Sequence, residues 1–363
     1  MATCESCAAR SPLISEALAV CADCLRQGGA QWREHLWQVH RANRARFGLP
    51  AEAPKSEGGR ACNLCLHECR IGEGERSYCG LRAVQGGKRV GGEIGRATVH
   101  WYHDPLPTNC VADWVCPGGT GAGYPEFARR PGPETGYTNL AVFYGACTFD
   151  CLYCQNWHFR LGGVGSASAE ELAEAVDERT ACICYFGGDP TPQLPHALKA
   201  SRLARDKGCG PLRICWETNG SMRPALLDRM LALSLESGGC VKFDLKAYSA
   251  EVHFALTGVD NARTLANFRR AATQRTERPV PPLLVAATLL VPGYVEAEEV
   301  GQLARFIADL DPEMPYSLLC FHPDFAMGDL PTTRRGQLEE CLAATREAGL
   351  TNVHVGNPWL ARD

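Results

Sequence analysis

Tyr144-Gly-Ala-Cys147-Thr-Phe-Asp-Cys151-Leu-Tyr-Cys154-Gln-Asn156 follows directly on an apolar run, Asn139 to Phe143, and sets three cysteines in the pattern Cys-x3-Cys-x2-Cys. The count of three is informative. An iron–sulfur cube that only relays electrons normally takes four protein thiolates, whereas three leave one iron with an open coordination position. The same spacing is compatible with zinc carrying one open position, or with three cysteines on an ordinary loop. The run before the loop is short, β-branched and aromatic, as a buried strand is. A ligand loop at the C-terminal end of such a strand is where a parallel barrel keeps its chemistry.

Outward from this loop toward the C-terminus the pattern is strand, loop, helix, repeated. Strands are expected at 139–145, 181–186, 211–216, 240–245, 284–291, 316–321 and 352–355, and helices at Ala169–Asp177, Pro195–Asp206, Pro224–Ser234, Glu296–Leu310 and Thr333–Ala348. Regular alternation of this kind predicts a parallel α/β sheet curved into a full or partial barrel, with function on the loops after the strands. Those loops carry polar residues in an apolar setting: Phe186-Gly187-Gly188-Asp189-Pro190, Glu217-Thr218-Asn219-Gly220, Asp244-Leu245-Lys246, Val291-Pro-Gly293 and Phe321-His322-Pro323. Paired glycines belong where backbone must approach a ligand closely. Asp244, Lys246 and His322 are ionisable groups at buried strand ends and are candidate catalytic residues on that ground. The plainer readings are an ion pair that stabilises a loop and a histidine satisfied by its neighbours.

Taken together, the cysteine loop and these strand ends resemble the radical S-adenosylmethionine (SAM) superfamily, and within it the subgroup of the pyruvate formate-lyase activating enzymes. The resemblance implies an open, incomplete barrel of the radical SAM type. It implies a site-differentiated [4Fe–4S] cluster on Cys147, Cys151 and Cys154, whose free iron chelates the amino and carboxylate groups of SAM. Tyr153 occupies the aromatic position whose backbone meets the adenine. Gly187, Gly188 and Asp189 match a Gly-Gly-Glu-Pro motif that holds the methionyl ammonium, with an acid one methylene shorter; Thr218 and Asn219 match a Thr-Asn-Gly motif near the methionyl carboxylate and ribose. The implied reaction is cleavage of SAM to methionine and a 5′-deoxyadenosyl radical that abstracts hydrogen from a substrate. A glycine of a partner protein is the first expectation for that substrate, with flavodoxin or ferredoxin as electron donor. Radical modification of RNA or of a small molecule, and a non-catalytic iron–sulfur/zinc redox protein, are the alternatives. A fourth cysteine in the loop would favour the redox relay, and the loop has none.

Toward the N-terminus, Cys4-x2-Cys7 and Cys21-x2-Cys24 form two knuckles that can present four thiolates to one Zn2+. A helix is expected between Gln31 and Phe47, with Trp32, Leu36 and Val39 on its apolar stripe and Arg33, Arg41, Arg44 and Arg46 on a solvated face. Residues 1–50 read as this zinc-knuckle-like module plus helix, and 51–60 as a Gly/Pro linker. Residues 61–135 read as a cysteine-rich leader packing on the barrel, and 136–363 as the barrel itself. Cys62, Cys65, Cys69 and Cys79 fit one four-ligand site for Zn2+ or a second [4Fe–4S] cluster, with His67 as an alternative ligand. This block resembles the leader of the same subgroup. A hairpin is expected within Arg89–Thr98, followed by a turn-rich stretch to Pro107. The glycine-rich run after Cys116 reads as a close-packed loop, and Cys110 and Cys116 as small buried hydrophobes.

The chain has 363 residues, 45% of them hydrophobic, which suffices for one large core and small satellites. Twenty cysteines without a secretory pattern at the start point to metal ligation in a cytoplasmic protein more than to disulfides. The apolar run Leu283 to Val291 is far short of the ~20 residues that cross a bilayer, so no membrane partner is expected. A net charge of −4 supplies no general attraction to nucleic acid.

Overall fold

Nine strands assemble into one sheet in the computed structural model, which describes residues 1–208 and 210–363. The sheet strands are β1 (Arg96–Pro105), β2 (Thr138–Tyr144), β3 (Ser166–Ser168), β4 (Thr180–Gly187), β5 (Arg213–Thr218), β6 (Val241–Asp244), β7 (Leu284–Leu290), β8 (Tyr316–Cys320) and β9 (Val353–Val355). Their order is β9-β8-β7-β6-β5-β4-β2-β1-β3, open at both ends. From β2 through β9 every neighbouring pair is parallel, while β1 runs antiparallel to both β2 and β3. β4 is buried along its first six residues, the near-continuous apolar pattern of a parallel strand covered on both faces.

Helices α1 (Ala22–Gly28) and α2 (Arg33–Ala45) precede the sheet. Between its strands run α3 (Ala169–Glu174), α4 (Leu194–Asp206), α5 (Pro224–Ser237), α6 (Ala250–Thr257), α7 (Ala262–Ala272), α8 (Ala297–Ala308) and α9 (Arg335–Glu347). Local chemistry sets their ends. Ser168 and Glu171 close a reciprocal capping box on α3, and α5 starts on Pro224 and stops at Gly238, which takes φ +78°.

The seven expected strands and five expected helices are found, with ends shifted by up to three residues; α6 and α7, between β6 and β7, add to them. Two expectations differ. The hairpin lies earlier, pairing Ala83–Gln85 with Lys88–Val90 across Gly86-Gly87, both at positive φ as a tight hairpin turn requires. The stretch after it, read as turn-rich, is instead the long strand β1, which pairs with β2 from Val99↔Tyr144 to Pro105↔Thr138. The alternation of β1, with Ala97 and Val99 buried among more exposed neighbours, was masked by its His, Asp and Pro content. The glycine-rich loop is close-packed as expected: a Cβ on Gly119 would lie 1.9 Å from the Asp113 carbonyl oxygen.

The N-terminal segment shares the barrel's core. Ala2, Ile14, Leu18, Leu25 and Leu36 are buried in the same apolar cluster as β2 and α8. Tyr294 donates its hydroxyl to the Val20 carbonyl (2.9 Å) and accepts from the Ser15 amide (3.1 Å). Arg26 of α1 pairs at 3.1 Å with Glu299, whose side chain is fully buried. On α2, Arg33, Arg41 and Arg46 are exposed, but Arg44 is buried and donates to the carbonyls of Pro50 (2.7 Å) and Tyr78 (2.5 Å). Its position on the inward face with His40 and Asn43 takes it off the solvated basic face expected from the sequence.

Candidate active site

The loops after β2, β4, β5 and β6, with side chains of β7 and β8, line one cavity of about 220 Å3. That strands so far apart in sheet order share one cavity means the sheet curls around it, as the open barrel requires. Cys147, Cys151 and Cys154 line it together with Tyr153, Gly187, Gly188, Asp189, Thr218, Asn219, Asp244 and Lys246. The structure therefore brings together every expected loop-cluster and SAM-site residue. It does not bring His322, which is exposed and lies outside the described lining.

The cysteine loop is held by what surrounds it. Its amides at Asp150 and Leu152 donate to the carbonyls of Thr257 (2.8 Å) and Leu256 (3.0 Å) at the end of α6. The Thr148 carbonyl accepts from His67 Nε2 (2.7 Å), and the Thr148 hydroxyl joins Ser221 Oγ (2.7 Å) and Asn219 Nδ2 (2.8 Å). His67 thus serves the loop backbone; burial lowers its pKa to about 4, which keeps the ring neutral. The Asp150 carboxylate, fully buried, accepts from His40 Nδ1 (2.9 Å), Asn43 Nδ2 (3.1 Å) and Arg160. Burial alone would raise the Asp150 carboxyl, but the His40 hydrogen bond and the Arg160 charge outweigh it and hold it below the usual range. None of these partners was legible in the motif. The signal available was an acid placed between two ligands of an apolar loop, which when buried needs a cation.

The glycine pair is required by packing as well as by ligand approach. A Cβ on Gly188 would stand 2.2 Å from the Ala146 carbonyl oxygen, and Gly187 takes φ +99° against Phe143. Asp189 has a structural partner for its shorter side chain: its carboxylate accepts from the amides of Thr191 and Asn219 (each 2.8 Å) and from Thr218 Oγ1 (3.0 Å). It stitches the loops after β4 and β5 together. Lys246 pairs with Asp244, with its ammonium 5.5 Å from the centre of the Tyr153 ring. Lys242 and Glu217 also reach the cavity and pair at 3.0 Å. Lys242 is the lone charge in the apolar run Cys240-Val-Lys-Phe, a signal the sequence offered.

The donor set fits a site-differentiated cluster. The three thiols are the cysteines among the described lining residues, buried or half-buried, and burial pushes Cys151 up to about 12. Thiols so desolvated stay protonated until a metal supplies the charge that displaces their protons. The space beyond them is bounded by Gly187, Gly188, Thr218 and Asn219, backbone and hydroxyl groups suited to a polar, flexible ligand.

A second, separate donor set lies at the N-terminus. The sulfurs of Cys4, Cys7, Cys21 and Cys24 all come within 4.8 Å of one another, which suits one tetrahedral metal ion. Cys62, Cys65, Cys69 and Cys79 are neighbours around a small core of Ile71, Tyr78 and Val84, but they are not drawn within that reach of a single ion. Among the described residues, no helix is long and apolar enough to cross a membrane.

Comparison with known proteins agrees with this geometry. Residues 141–307 match the family described as the radical SAM superfamily. An uncharacterized protein of Methanocaldococcus jannaschii is 25% identical over 306 residues, covering 82% of this chain and 80% of its own. The pyruvate formate-lyase 1-activating enzyme of Escherichia coli is 27% identical over 201 residues, 52% of this chain and 78% of the relative. The isethionate sulfite-lyase activating enzyme of Desulfovibrio desulfuricans is 36% identical over 141 residues, 39% of this chain and 41% of the relative. Residues 141–307 of this chain thus carry a radical SAM domain.

Proposed function

We propose that this chain binds SAM in the cavity of the cysteine loop and uses it to abstract hydrogen from a partner protein, with a glycine as the target. The observation that carries the reading is the convergence of Cys147, Cys151, Cys154, the Gly187-Gly188 turn and Asn219 on one cavity. A cluster with SAM bound supplies one-electron reductive cleavage of the sulfonium to methionine and a 5′-deoxyadenosyl radical.

The chain's own part is to hold and shield. Cys147, Cys151 and Cys154 provide three thiolates, and the Asp150, Thr148 and His67 contacts fix the loop that presents them. Gly187 and Gly188 leave the backbone open to the ligand's amino group, while Asp189 keeps Thr218 and Asn219 in place beside it. Phe149, Phe159, Phe186, Leu289 and Leu319 form apolar walls that exclude water from a reactive carbon radical. Lys246 and Asp244, paired at the rim of the same space, orient the substrate or the ribose. Two relatives named as activating enzymes of lyases support a protein target, and an external flavodoxin or ferredoxin is the proposed electron donor. We assign Zn2+ to Cys4, Cys7, Cys21 and Cys24 as a structural ion, and a [4Fe–4S] cluster rather than Zn2+ to Cys62, Cys65, Cys69 and Cys79, whose spread exceeds the reach of one ion.

The test is anaerobic reconstitution with iron and sulfide, reduction with dithionite, and quantification of methionine and 5′-deoxyadenosine. Stoichiometric release that Cys147→Ala abolishes is expected, and absence of both products from protein with an intact cluster would overturn the reading. Incubation with a glycyl-deuterated candidate lyase then asks whether deuterium enters 5′-deoxyadenosine.

A further inference from the structure

Below the SAM-site cavity lies a second one, of about 510 Å3, which shares Phe186, Glu217 and Lys242 with it. Six cysteines line it: Cys110 and Cys116 from the segment between β1 and β2, Cys182 and Cys184 from β4, Cys215 from β5 and Cys240 at the start of β6. The sheet puts three of these in a row. Cys184 pairs in register with Cys215, and Cys240 precedes Val241, the partner of Trp216, so Cys184, Cys215 and Cys240 face the lumen at one level of three adjacent strands. Neighbouring strands are about 4.8 Å apart, a backbone spacing from which thiols on adjacent strands can take separate corners of a multi-iron cluster. Among the described residues they are not within 4.8 Å of one another as the N-terminal four are.

The six are not equivalent. Cys182 donates to Asn139 Oδ1 at 3.3 Å, and Cys110 to Glu217 Oε1 at 3.7 Å, so each has an oxygen acceptor for its own proton. Cys116, Cys184, Cys215 and Cys240 remain, three from the strands and one from the facing loop. Cys184, Cys215 and Cys240 share one buried apolar cluster, and Cys116 packs against it. Over them the buried Lys242 ammonium donates to Cys184 Sγ at 2.9 Å and Cys110 Sγ at 3.1 Å. Cysteines used as small hydrophobes fill space. These border a void instead, and Lys242, paired with Glu217 at 3.0 Å, also donates to two of the sulfurs.

We propose that Cys116, Cys184, Cys215 and Cys240 hold a further, fully ligated [4Fe–4S] cluster inside the barrel, distinct from those assigned to the three-cysteine loop and to Cys62–Cys79. On binding, each of the four thiols releases its proton to solvent. The net negative cluster is then countered by Lys242, whose N–H donation to a ligating sulfur also sets its potential. The place is separate from the three-cysteine loop, and its occupancy is read without SAM.

The full-length protein, reconstituted anaerobically with ferric iron, sulfide and dithiothreitol as the reductant that brings the iron to mixed valence, provides the test. The Cys184→Ser/Cys215→Ser variant should lose about four irons and four sulfides per chain relative to wild type, while the Mössbauer signal of the three-cysteine loop cluster is kept. Cys116→Ala, on the half-buried loop, should alter the barrel cluster's signal alone, and it stands in if circular dichroism finds the strand variant unfolded. Iron, sulfide and spectra equal to wild type in a folded variant would overturn the proposal, as would loss of zinc in place of iron.

Discussion

Asp150→Asn removes one negative charge from the centre of the cysteine loop while keeping the side chain's volume. In the wild-type chain the carboxylate receives His40, Asn43 and Arg160, and the Arg44 guanidinium stands 3.9 Å away. The Arg160 side chain is 1% exposed and that of Arg44 2%, so neither cation can turn to water when the acid is neutralised. Breaking a buried pair from one side costs about 3–5 kcal/mol, because the remaining charge stays desolvated. With a urea slope on the order of 3 kcal/mol/M, the unfolding midpoint should fall by roughly 1 M. Adding Arg160→Met removes the stranded cation, and since replacing both members of a buried pair is often near neutral, the double variant should recover at least half of the loss. The assay is anaerobic urea unfolding followed by tryptophan fluorescence, with iron content in parallel. A single variant within about 1 kcal/mol of wild type, or a double variant no better than the single, would refute the reasoning that this network holds the loop.

Gly188→Val should abolish iron retention at Cys147, Cys151 and Cys154, since its first side-chain carbon meets the Ala146 carbonyl oxygen; Gly132→Val, at an open position, is the control. Deleting residues 1–55 should release about one zinc per chain and also destabilise the loop cluster, because His40, Asn43 and Arg44 leave with the zinc site; SAM cleavage at the full rate would separate the module from the active site. Asp189→Ala should raise the Kd for SAM several-fold, with chain stability measured alongside, by freeing Thr218 and Asn219, and Asp189→Glu should not restore it fully if the carboxylate's distance to Asn219 is what matters.

The sequence revealed what repeats or carries a fixed spacing. Strands β2 and β4 to β9 recur as short runs closed by polar loops, and the motif residues on the loops after β2, β4, β5 and β6 do meet in one cavity. β1 was hidden because half of its residues are exposed and its composition imitates a turn. The His40–Asp150 contact joins residues 110 apart in sequence, and neither carries a local pattern that names the other. Arg44 looked like one more surface arginine; only the helix's packing on the cysteine loop turned it inward. Cys184, Cys215 and Cys240 fall singly on separate strands, so no spacing announces them, and their row exists only once the register is known. His322 shows the converse: a residue at a strand end by sequence stays outside the site when the chain turns outward beyond β8.

Isothermal titration of SAM into anaerobic protein, with and without the loop cluster, tests the central claim most directly. Wild type carrying the cluster should bind SAM at least tenfold more tightly than Cys151→Ala, because the open iron supplies contacts that the Gly187–Asp189 and Asn219 loops alone do not. Equal affinity for the two proteins would contradict the account.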